Sequence, residues 1–274
     1  MESKIAQALH LKYNPVALIW TDEKPENAIQ FQKGKWGCVM NMFVQALKGK
    51  TVVFDRETFG CPGGGVGLGF GNQYENFPGG IECFYYFFSV GTSKMKPKKQ
   101  GSEKPGITGR QNTNTNHLNG IGYVKTPELA KKHVENTPIF DVPTKYVVFK
   151  SLKDVVVKKE KPQVVVYLVN PDQLSAMVIM ANYSRETTDN VFASPAAGCH
   201  AIGIIAYKEA KSALPRAIIG LNDLSARLFV SDHIGHNFLT FAVPYKMYEE
   251  LESNLNGSLL QKDTWKSLIS KEMM

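Results

Sequence analysis

The sequence predicts an α/β fold, with a mixed α+β arrangement as the alternative, built as two pseudo-symmetric halves of an internal duplication around a shared site. Runs of β-branched and aromatic residues alternate with stretches of helical apolar spacing. The spacing from Cys38 to Cys61 recurs from Cys199 to Asn222, and both stretches open on Gly-Cys. A chain of 274 residues is also long enough to bury a sizeable core in one compact unit.

The first half, residues 1–125, alternates strand and helix signals before a glycine-rich loop. Residues 14–20 begin at an Asn-Pro pair and predict a strand, and residues 38–48 carry apolar side chains at helical spacing. A β-branched and aromatic strand follows at residues 51–54. Residues 60–71 contain seven glycines, a density that predicts a loop.

The rest of the first half gives weaker signals. The aromatic run IECFYYFFSV at residues 81–90 is either a strand or a buried helix, because periodicity does not separate the two. Residues 91–123 are rich in Lys, Gly, Asn and Thr and have no apolar face. Loops of that length are usually functional or disordered, so we interpret the segment as an insertion that closes over a site or joins the halves.

The second half, residues 126–274, has clearer alternation. Its predicted strands are residues 146–149, 164–169, 217–219 and 238–243. Its predicted helices are residues 127–134, 151–157, 172–181 and 199–210, and a further one after Pro244. The β-branched run at residues 164–169 is typical of a strand buried on both faces.

The glycine-rich segment is the first candidate site. Cys61 precedes three glycines, which let a backbone approach a bound group and present N–H groups to an anion or to the sulfurs of a cluster. We therefore expect Cys61 and Asn222, the two ends of the repeated spacing, to bind a cofactor. The glycines expected to bind with them are Gly63, Gly64 and Gly65. The alternative is a tight turn packed on the core.

Cys38, Cys61 and Cys199 are the candidate metal ligands. Cys199 lies at a predicted helix start, where free N–H groups favour a thiolate. The chain has no CxxC pair, but thiolates that meet in space can hold an iron–sulfur cluster, so this is the predicted cofactor. The alternative is that the cysteines pack as small apolar residues, which is the interpretation favoured for Cys83.

Two further groups give weaker signals. His233 and His236 lie three positions apart in a polar loop, where solvated histidines are commoner than a metal site. Asp223 and Arg227 lie beside the end of the second repeat. They suit a charged pair that orients a ligand as well as they suit a helix-start Asp and a surface Arg.

Composition indicates a globular protein, with 43% hydrophobic and 21% charged residues. The net charge of +7 comes with lysine clusters at residues 94–104 and 158–161 that lack interleaved aromatic residues, so nucleic acid is not the expected partner. No apolar run reaches the length of a membrane span, and the N-terminus lacks a secretory pattern. We expect a cytoplasmic protein with a small-molecule or redox partner, of undetermined oligomeric state.

Four segments resemble a widespread prokaryotic family, the domain of unknown function 169. They are RETFGCPGGGVGLGFG, NPDQLSAMVIMANY, ASPAAGCHAIG and FAVPYKMYEELESNL. The resemblance runs from the Asn14-Pro15 strand to the helix after Pro244 and implies a soluble prokaryotic protein with no assigned reaction. It also implies a cysteine in many members where this chain has Asn222.

Three hypotheses about function follow. The first is a cofactor-binding protein of redox metabolism that holds an iron–sulfur cluster through Cys38, Cys61 and Cys199. The second is a metal-free protein that binds or senses a small anionic ligand with its glycine-rich segment. The third is an enzyme with Cys61 or Cys199 as nucleophile, for which the sequence identifies no base.

Overall fold

A computed structural model describes residues 2–95, 115–156 and 160–272 of the chain. The chain forms two compact units: the first combines Met1–Phe70 with Asp141–Met274, and the second is Gly71–Phe140. No helix in the described ranges is long and apolar enough to cross a membrane. The predicted halves, residues 1–125 and 126–274, do not coincide with these two compact units. The division into two duplicated halves stays a prediction.

The first unit is built on a seven-stranded sheet in the described residues. The strands are β1 (Val16–Thr21), β2 (Val52–Phe54), β3 (Tyr146–Ser151), β4 (Val164–Val169), β5 (Val191–Ala193), β6 (Ala217–Gly220) and β7 (Leu239–Pro244). Their order across the sheet is β2-β3-β1-β4-β7-β6-β5. All neighbouring strands are antiparallel except β5 and β6, which are parallel. The α/β class is confirmed, and every predicted strand is present.

The helices of the described residues surround this sheet or belong to the second unit. They are α1 (Lys4–Ala8), α2 (Val39–Leu47), α3 (Pro62–Leu68), α4 (Ile81–Phe88), α5 (Thr115–Asn119), α6 (Pro127–Asn136), α7 (Pro171–Asn182), α8 (Gly198–His200), α9 (Ala206–Glu209), α10 (Leu224–Ile234), α11 (Tyr245–Ser253) and α12 (Asp263–Glu272). A π-helical turn, Ala201–Ile205, joins α8 to α9.

Both faces of the sheet are covered. Side chains alternate between faces along a strand, and all six residues of β4 are buried, as its continuous β-branched run predicts. One face, with Tyr167 at its centre, packs into the main apolar core together with Met177 of α7 and Met247 of α11. The helices α2, α8 and α10 do not contribute to that core cluster. Contacts of α2 with β3, and of the π turn with β7, place the helices that carry the cysteines on the opposite face.

The glycine-rich loop expected at residues 60–71 is wrong, because most of that segment is the helix α3. Residues Gly64 to Leu68 are buried, and the helix ends at Gly69, whose left-handed backbone (φ 88°) forms the C-cap. Pro62 occupies the first helical turn, where its missing N–H costs no hydrogen bond. Glycine density alone indicated a loop, but burial against another helix stabilises the helical form.

The structure settles one ambiguous sequence prediction, shortens another and adds a helix that the sequence analysis did not predict. The aromatic run at residues 81–90 is the helix α4, and residues 152–154 form one 3₁₀ turn within the helix expected at 151–157. Helix α10 was not predicted because its apolar residues do not form one stripe: Leu224 and Leu228 are 69% and 72% exposed. Within the expected insertion, residues 96–114 lie outside the described residues.

The second unit is small and rich in aromatic residues. Helices α4 and α6 pack together, and Tyr74 stacks on Phe84 with ring centroids 4.1 Å apart. Cys83 is buried here, with its sulfur 3.7 Å from that of Met95. This is the apolar surrounding that the sequence predicts for Cys83.

Candidate thiol site

Four residues of the first unit lie at the beginnings of four helices. Cys38 is the N-cap of α2, Cys61 the N-cap of α3, and Asp223 the N-cap of α10, while Cys199 lies in the only turn of α8. Backbone N–H groups at a helix start have no partner within the helix and carry partial positive charge. Each side chain therefore lies beside N–H groups that stabilise negative charge.

Cys61 and Cys199 are linked through one peptide group. The Cys61 sulfur accepts a hydrogen bond from the Gly64 N–H at 3.3 Å, and the Cys199 thiol donates to the Gly63 carbonyl at 3.4 Å. The Gly63 oxygen and the Gly64 nitrogen belong to the same planar peptide unit. These contacts and standard peptide dimensions keep the two sulfurs within about 9 Å of each other.

His200 is a further member of the site; the sequence shows it only as the neighbour of Cys199, which makes a Cys/His metal site conceivable, and it was not among the selected residues. Its ring is 1% exposed, and Nε2 lies 3.0 Å from the Gly63 carbonyl, to which it donates. The Gly63 oxygen therefore accepts from both the Cys199 thiol and the His200 imidazole. The only sequence signal for His200 as a site residue is that it follows Cys199. Its contact with the Gly63 carbonyl joins segments 137 residues apart, so local sequence patterns do not predict it.

Cys38 interacts electrostatically with the other two sulfurs. Its pKa rises from the ordinary value of 9.0 to about 12, mainly because the thiol is buried and further because of Cys61 and Asp223. The N–H groups of Met40 and Asn41, in the first turn of α2, oppose this rise. A charge on any one of these groups thus raises the cost of a second negative charge beside it.

The pKa values of Cys61 and Cys199 are raised for the same reasons. Burial is the largest cause for both, and for Cys199 the next causes are Cys61, Cys38 and Asp223. The N–H of Gly64 partly opposes the rise at Cys61. The three thiols are therefore protonated at neutral pH.

Asp223 and its neighbour Asn222 lie in different surroundings. The Asp223 carboxylate accepts hydrogen bonds from the Ser225 N–H at 2.9 Å and from the Gly198 N–H at 3.4 Å. Its negative charge contributes to the raised pKa of all three cysteines. Asn222 is exposed, and its amide donates to the backbone carbonyls of Ser194 and Ile219 at 3.5 and 3.3 Å. The charged side chain at the thiols is therefore Asp223, one position beyond the residue that the repeated spacing selects.

Two glycines position the cysteines by allowing helices to meet. A Cβ at Gly67 would lie 2.8 Å from the Cys199 backbone carbon, and a Cβ at Gly203 would lie 2.0 Å from the Gly67 carbonyl oxygen. Side chains at either position would separate α3 from the helix that carries Cys199. Gly64 is similarly enclosed, 2.7 Å from the Phe59 oxygen, whereas the Cβ position of Gly63 is open.

The helix that contains Cys199 changes geometry directly after the site. The residues Ala201–Ile205 form a π turn, and Gly203, which meets α3, lies within it. Such turns insert an extra residue into a helix and are often found at functional sites. The π turn lets Cys199 face Gly63 while Gly203 stays against Gly67.

The remaining candidates lie apart from this arrangement. His233 and His236 are both exposed, and the Arg227 guanidinium donates to the Phe238 carbonyl at 2.9 Å. Within the described ranges, no three His, Cys, Asp or Glu side chains are grouped closely enough to hold one metal ion. Gly65 is buried within α3, where its N–H bonds to the Cys61 carbonyl at 3.0 Å.

The fold and the site together define an α/β protein that gathers three thiols, one buried and two half-buried, at helix starts on one face of a mainly antiparallel sheet. The chain belongs to the family DUF169, described as Uncharacterised ArCR, which matches residues 4–254. This confirms the family that the sequence motifs resemble. No curated protein and no solved structure matches the chain.

Proposed function

We propose that this chain is a cofactor-binding protein of redox metabolism whose Cys38, Cys61 and Cys199 hold an iron–sulfur cluster. The observation that carries the proposal is that three cysteines from separate helix starts lie near one another: Cys61 and Cys199 bond to one peptide group, and Cys38 lies close enough to raise the pKa of Cys199. Clusters are bound by cysteine thiolates that meet in space. All four cysteines are free thiols, so a reducing compartment such as the cytoplasm and a redox partner belong to the same proposal.

The arrangement of the thiols does not suit a single metal ion. The thiolates of a cluster bind different iron atoms and so lie farther apart than thiolates on one tetrahedral ion. Here Cys61 and Cys199 lie on opposite sides of the Gly63–Gly64 peptide, and the described residues do not form a compact group around one point.

The local charges also favour a cationic, thiol-binding group. Asp223 and any thiolates repel one another, so binding of iron would remove the repulsion and release protons. Helix starts at Cys38, Cys61 and Asp223 add N–H groups that stabilise the negative charge of thiolate ligands. Hydrogen bonds to cluster sulfurs are one of the factors that set reduction potentials.

An internal duplication is part of the proposal, and the strand order supports it. The strands β1, β2 and β3 lie in the order β2-β3-β1, and the strands β4, β6 and β7 lie in the order β4-β7-β6, so equivalent strands follow in reverse order on either side of the β1–β4 pair. This grouping counts β3 with β1 and β2, although residues 146–151 fall in the predicted second half, residues 126–274. Pairing agrees as well: Val16 opposes Ser151 at the ends of β1 and β3, as Val164 opposes Pro244 at the ends of β4 and β7. The two sets share the order strand, helix, strand, helix and strand, with α4 to α6 added in one and α7 and β5 added in the other.

The helices follow the same equivalence. In each half, one helix precedes the outer strand (α2 or α8) and another follows it (α3 or α10). Helix α3 packs on α8, and α10 packs on α2, so each half's second helix contacts the first helix of the other half. The crossing of equivalent helices brings their starts together, which is where Cys38, Cys61, Cys199 and Asp223 lie.

The two rival hypotheses have less support. A nucleophilic cysteine needs a lowered pKa, whereas those of Cys38, Cys61 and Cys199 are raised. An anionic ligand would meet the Asp223 carboxylate beside the thiols. In addition, Gly64 and Gly67 of α3 are closely surrounded by protein atoms, which leaves no room for a ligand against them.

The test is cluster assembly under anaerobic conditions. The purified chain is treated with ferrous iron and sulfide, desalted, and assayed for charge-transfer absorption, iron and acid-labile sulfide. We expect iron and sulfide to be retained by the wild type and by Cys83→Ala, and to be lost on replacing Cys38, Cys61 or Cys199 with alanine. No retained iron in the wild type, or equal loss in Cys83→Ala, would contradict the proposal, with thermal unfolding showing that each variant folds.

A further inference from the structure

Helix α10 carries apolar side chains on its exposed side as well as on its buried side. Leu224 and Leu228 lie one helical turn apart on the exposed side, and both are mostly in solvent. Phe229 is also exposed and packs against the exposed ring of Trp36, with ring centroids 5.5 Å apart. We call these four side chains, Leu224, Leu228, Phe229 and Trp36, the α10 patch. Exposed apolar side chains that lie together, rather than singly, indicate a surface that another molecule covers.

We propose that the α10 patch is the interface through which two copies of this chain form a two-fold symmetric dimer. The proposal goes beyond the proposed function and depends on no cofactor. A two-fold axis places the same surface of each copy against the other, so that surface must complement itself. The area of the patch and the charges beside it both support a second copy as the occupant.

The area of the patch suits the centre of a standard interface. At about 150 Å² for each large side chain, the exposed fractions of the four leave roughly 350 Å² of apolar surface on one copy. Two copies would together cover about 700 Å², a little under half of the roughly 1,600 Å² that a standard interface buries. Polar side chains around the patch would supply the remainder, as the rim of an interface does.

The charges beside the patch favour a second copy over a partner of a single charge sign. Lys35 directly precedes Trp36, and Asp232 lies one helical turn beyond Leu228. Both are exposed, and neither forms an ion pair within the described residues. An anionic partner would be attracted by the lysine and repelled by the aspartate. A two-fold axis near Leu228 would instead bring Lys35 of each copy toward Asp232 of the other, so both charges would gain a partner.

The α10 patch lies beside the thiol site. Trp36 is two residues before Cys38, the N-cap of α2, and Leu224 directly follows Asp223, the N-cap of α10. The helices α2 and α10 pack together, so the patch borders both of these helix starts. A second copy on the patch would therefore lie next to the half-buried Cys38 and shield this side of the site from solvent.

The experiment measures the mass of the full chain in solution by sedimentation over a range of protein concentrations. We expect the wild type to form a dimer, and Leu228→Glu to raise the dissociation constant at least about tenfold, because it places a charge at the centre of the interface. The matched control is Ile179→Glu on α7, which packs on the other face of the sheet. Ile179 is exposed like Leu228, so both variants should fold, as circular dichroism would show, and the control should dimerise like the wild type.

A charge exchange distinguishes a second copy from other occupants. Lys35→Asp and Asp232→Lys should each weaken the dimer several-fold, because each places like charges opposite one another, and the chain that carries both changes should recover wild-type association. The proposal is overturned if the wild type stays monomeric, if Ile179→Glu dissociates the dimer and Leu228→Glu does not, or if the double exchange restores nothing. Binding of a monomeric chain to vesicles of phosphatidylcholine and phosphatidylglycerol, lost in Leu228→Glu, would also overturn it and assign the patch to a membrane surface.

Discussion

The Cys199 thiol and the Cys61 sulfur form hydrogen bonds to opposite sides of one peptide group, Gly63–Gly64. The carbonyl accepts from Cys199, and the N–H donates to Cys61. Hydrogen bonds in such a chain polarise one another, so a charge on one sulfur strengthens or weakens the bond at the other. The peptide is held in turn by α3, so the distance between the thiols depends on how that helix packs.

That packing gives the first prediction. Gly203→Ala places a methyl group 2.0 Å from the Gly67 carbonyl oxygen, so we expect the free energy of unfolding to fall by about 3 kcal/mol. Gly63→Ala is the control, because its Cβ meets nothing within 4 Å and alanine favours a helix by up to about 1 kcal/mol. Urea unfolding measures both; equal stabilities would show that the two helices can separate at no cost.

Trp20 gives the second prediction, since its ring holds the end of α3. The buried Nε1 donates to the Leu68 carbonyl at 3.0 Å, and the ring packs against Tyr207. Trp20→Phe leaves that carbonyl without its donor, so we expect a loss of about 2 kcal/mol in the free energy of unfolding. Trp36→Phe, at a residue 54% exposed, should change stability by less than about 0.5 kcal/mol.

The third prediction concerns alkaline pH in the metal-free protein. The unfolded chain loses the Cys38 proton near 9.0, whereas the folded protein holds it to about 12. The unfolded state therefore binds fewer protons between these values, and the free energy of unfolding falls as pH rises. Between about pH 8 and about pH 10 the wild type should lose about 1 kcal/mol more than Cys38→Ser. Parallel pH profiles in urea unfolding would contradict the raised pKa of this thiol.

The fourth prediction concerns acidic pH and the pair Arg185–Glu250. Burial raises the pKa of Glu250, but hydrogen bonds from Arg185 and Ser184 outweigh it and lower the pKa below its ordinary 4.5. The pair thus contributes stability above that value, and the contribution is lost as pH falls through the lowered pKa.

Glu250→Gln should cost about 2 kcal/mol near neutral pH, because the Arg185 side chain is only 7% exposed and loses its charged partner. It should also flatten the loss of stability in acid. The exposed neighbour supplies the control variant, Glu249→Gln, which should keep the wild-type profile. A steep acid profile in Glu250→Gln would assign the effect to another carboxylate.

Much of the fold could be predicted because the strands are explicit in the sequence. The run at residues 164–169 has an apolar side chain at every position, as a strand covered on both faces does, and its valines favour a strand over a buried helix. Asn170 and Pro171 similarly determine where α7 begins, through a capping box and a proline in the first turn. These signals are local, because the residues that form the pattern are the same residues that form the strand or the helix start.

The arrangement of the thiol site depended on contacts between distant segments. Glycine density at residues 60–71 indicated a loop, but Gly67 and Gly203 meet because two helices pack backbone to backbone. A single sequence does not show which glycine faces which.

The family and the α/β class could be read from local patterns of residues, and the same patterns singled out Cys38, Cys61 and Cys199. Only the folded chain shows that α3 is a helix, that Gly63 links Cys61 to Cys199 and His200, and that Asp223 lies nearer the thiols than Asn222. The physical reason is that spacing along a chain fixes local backbone geometry, whereas loop lengths and helix packing determine which side chains meet in space.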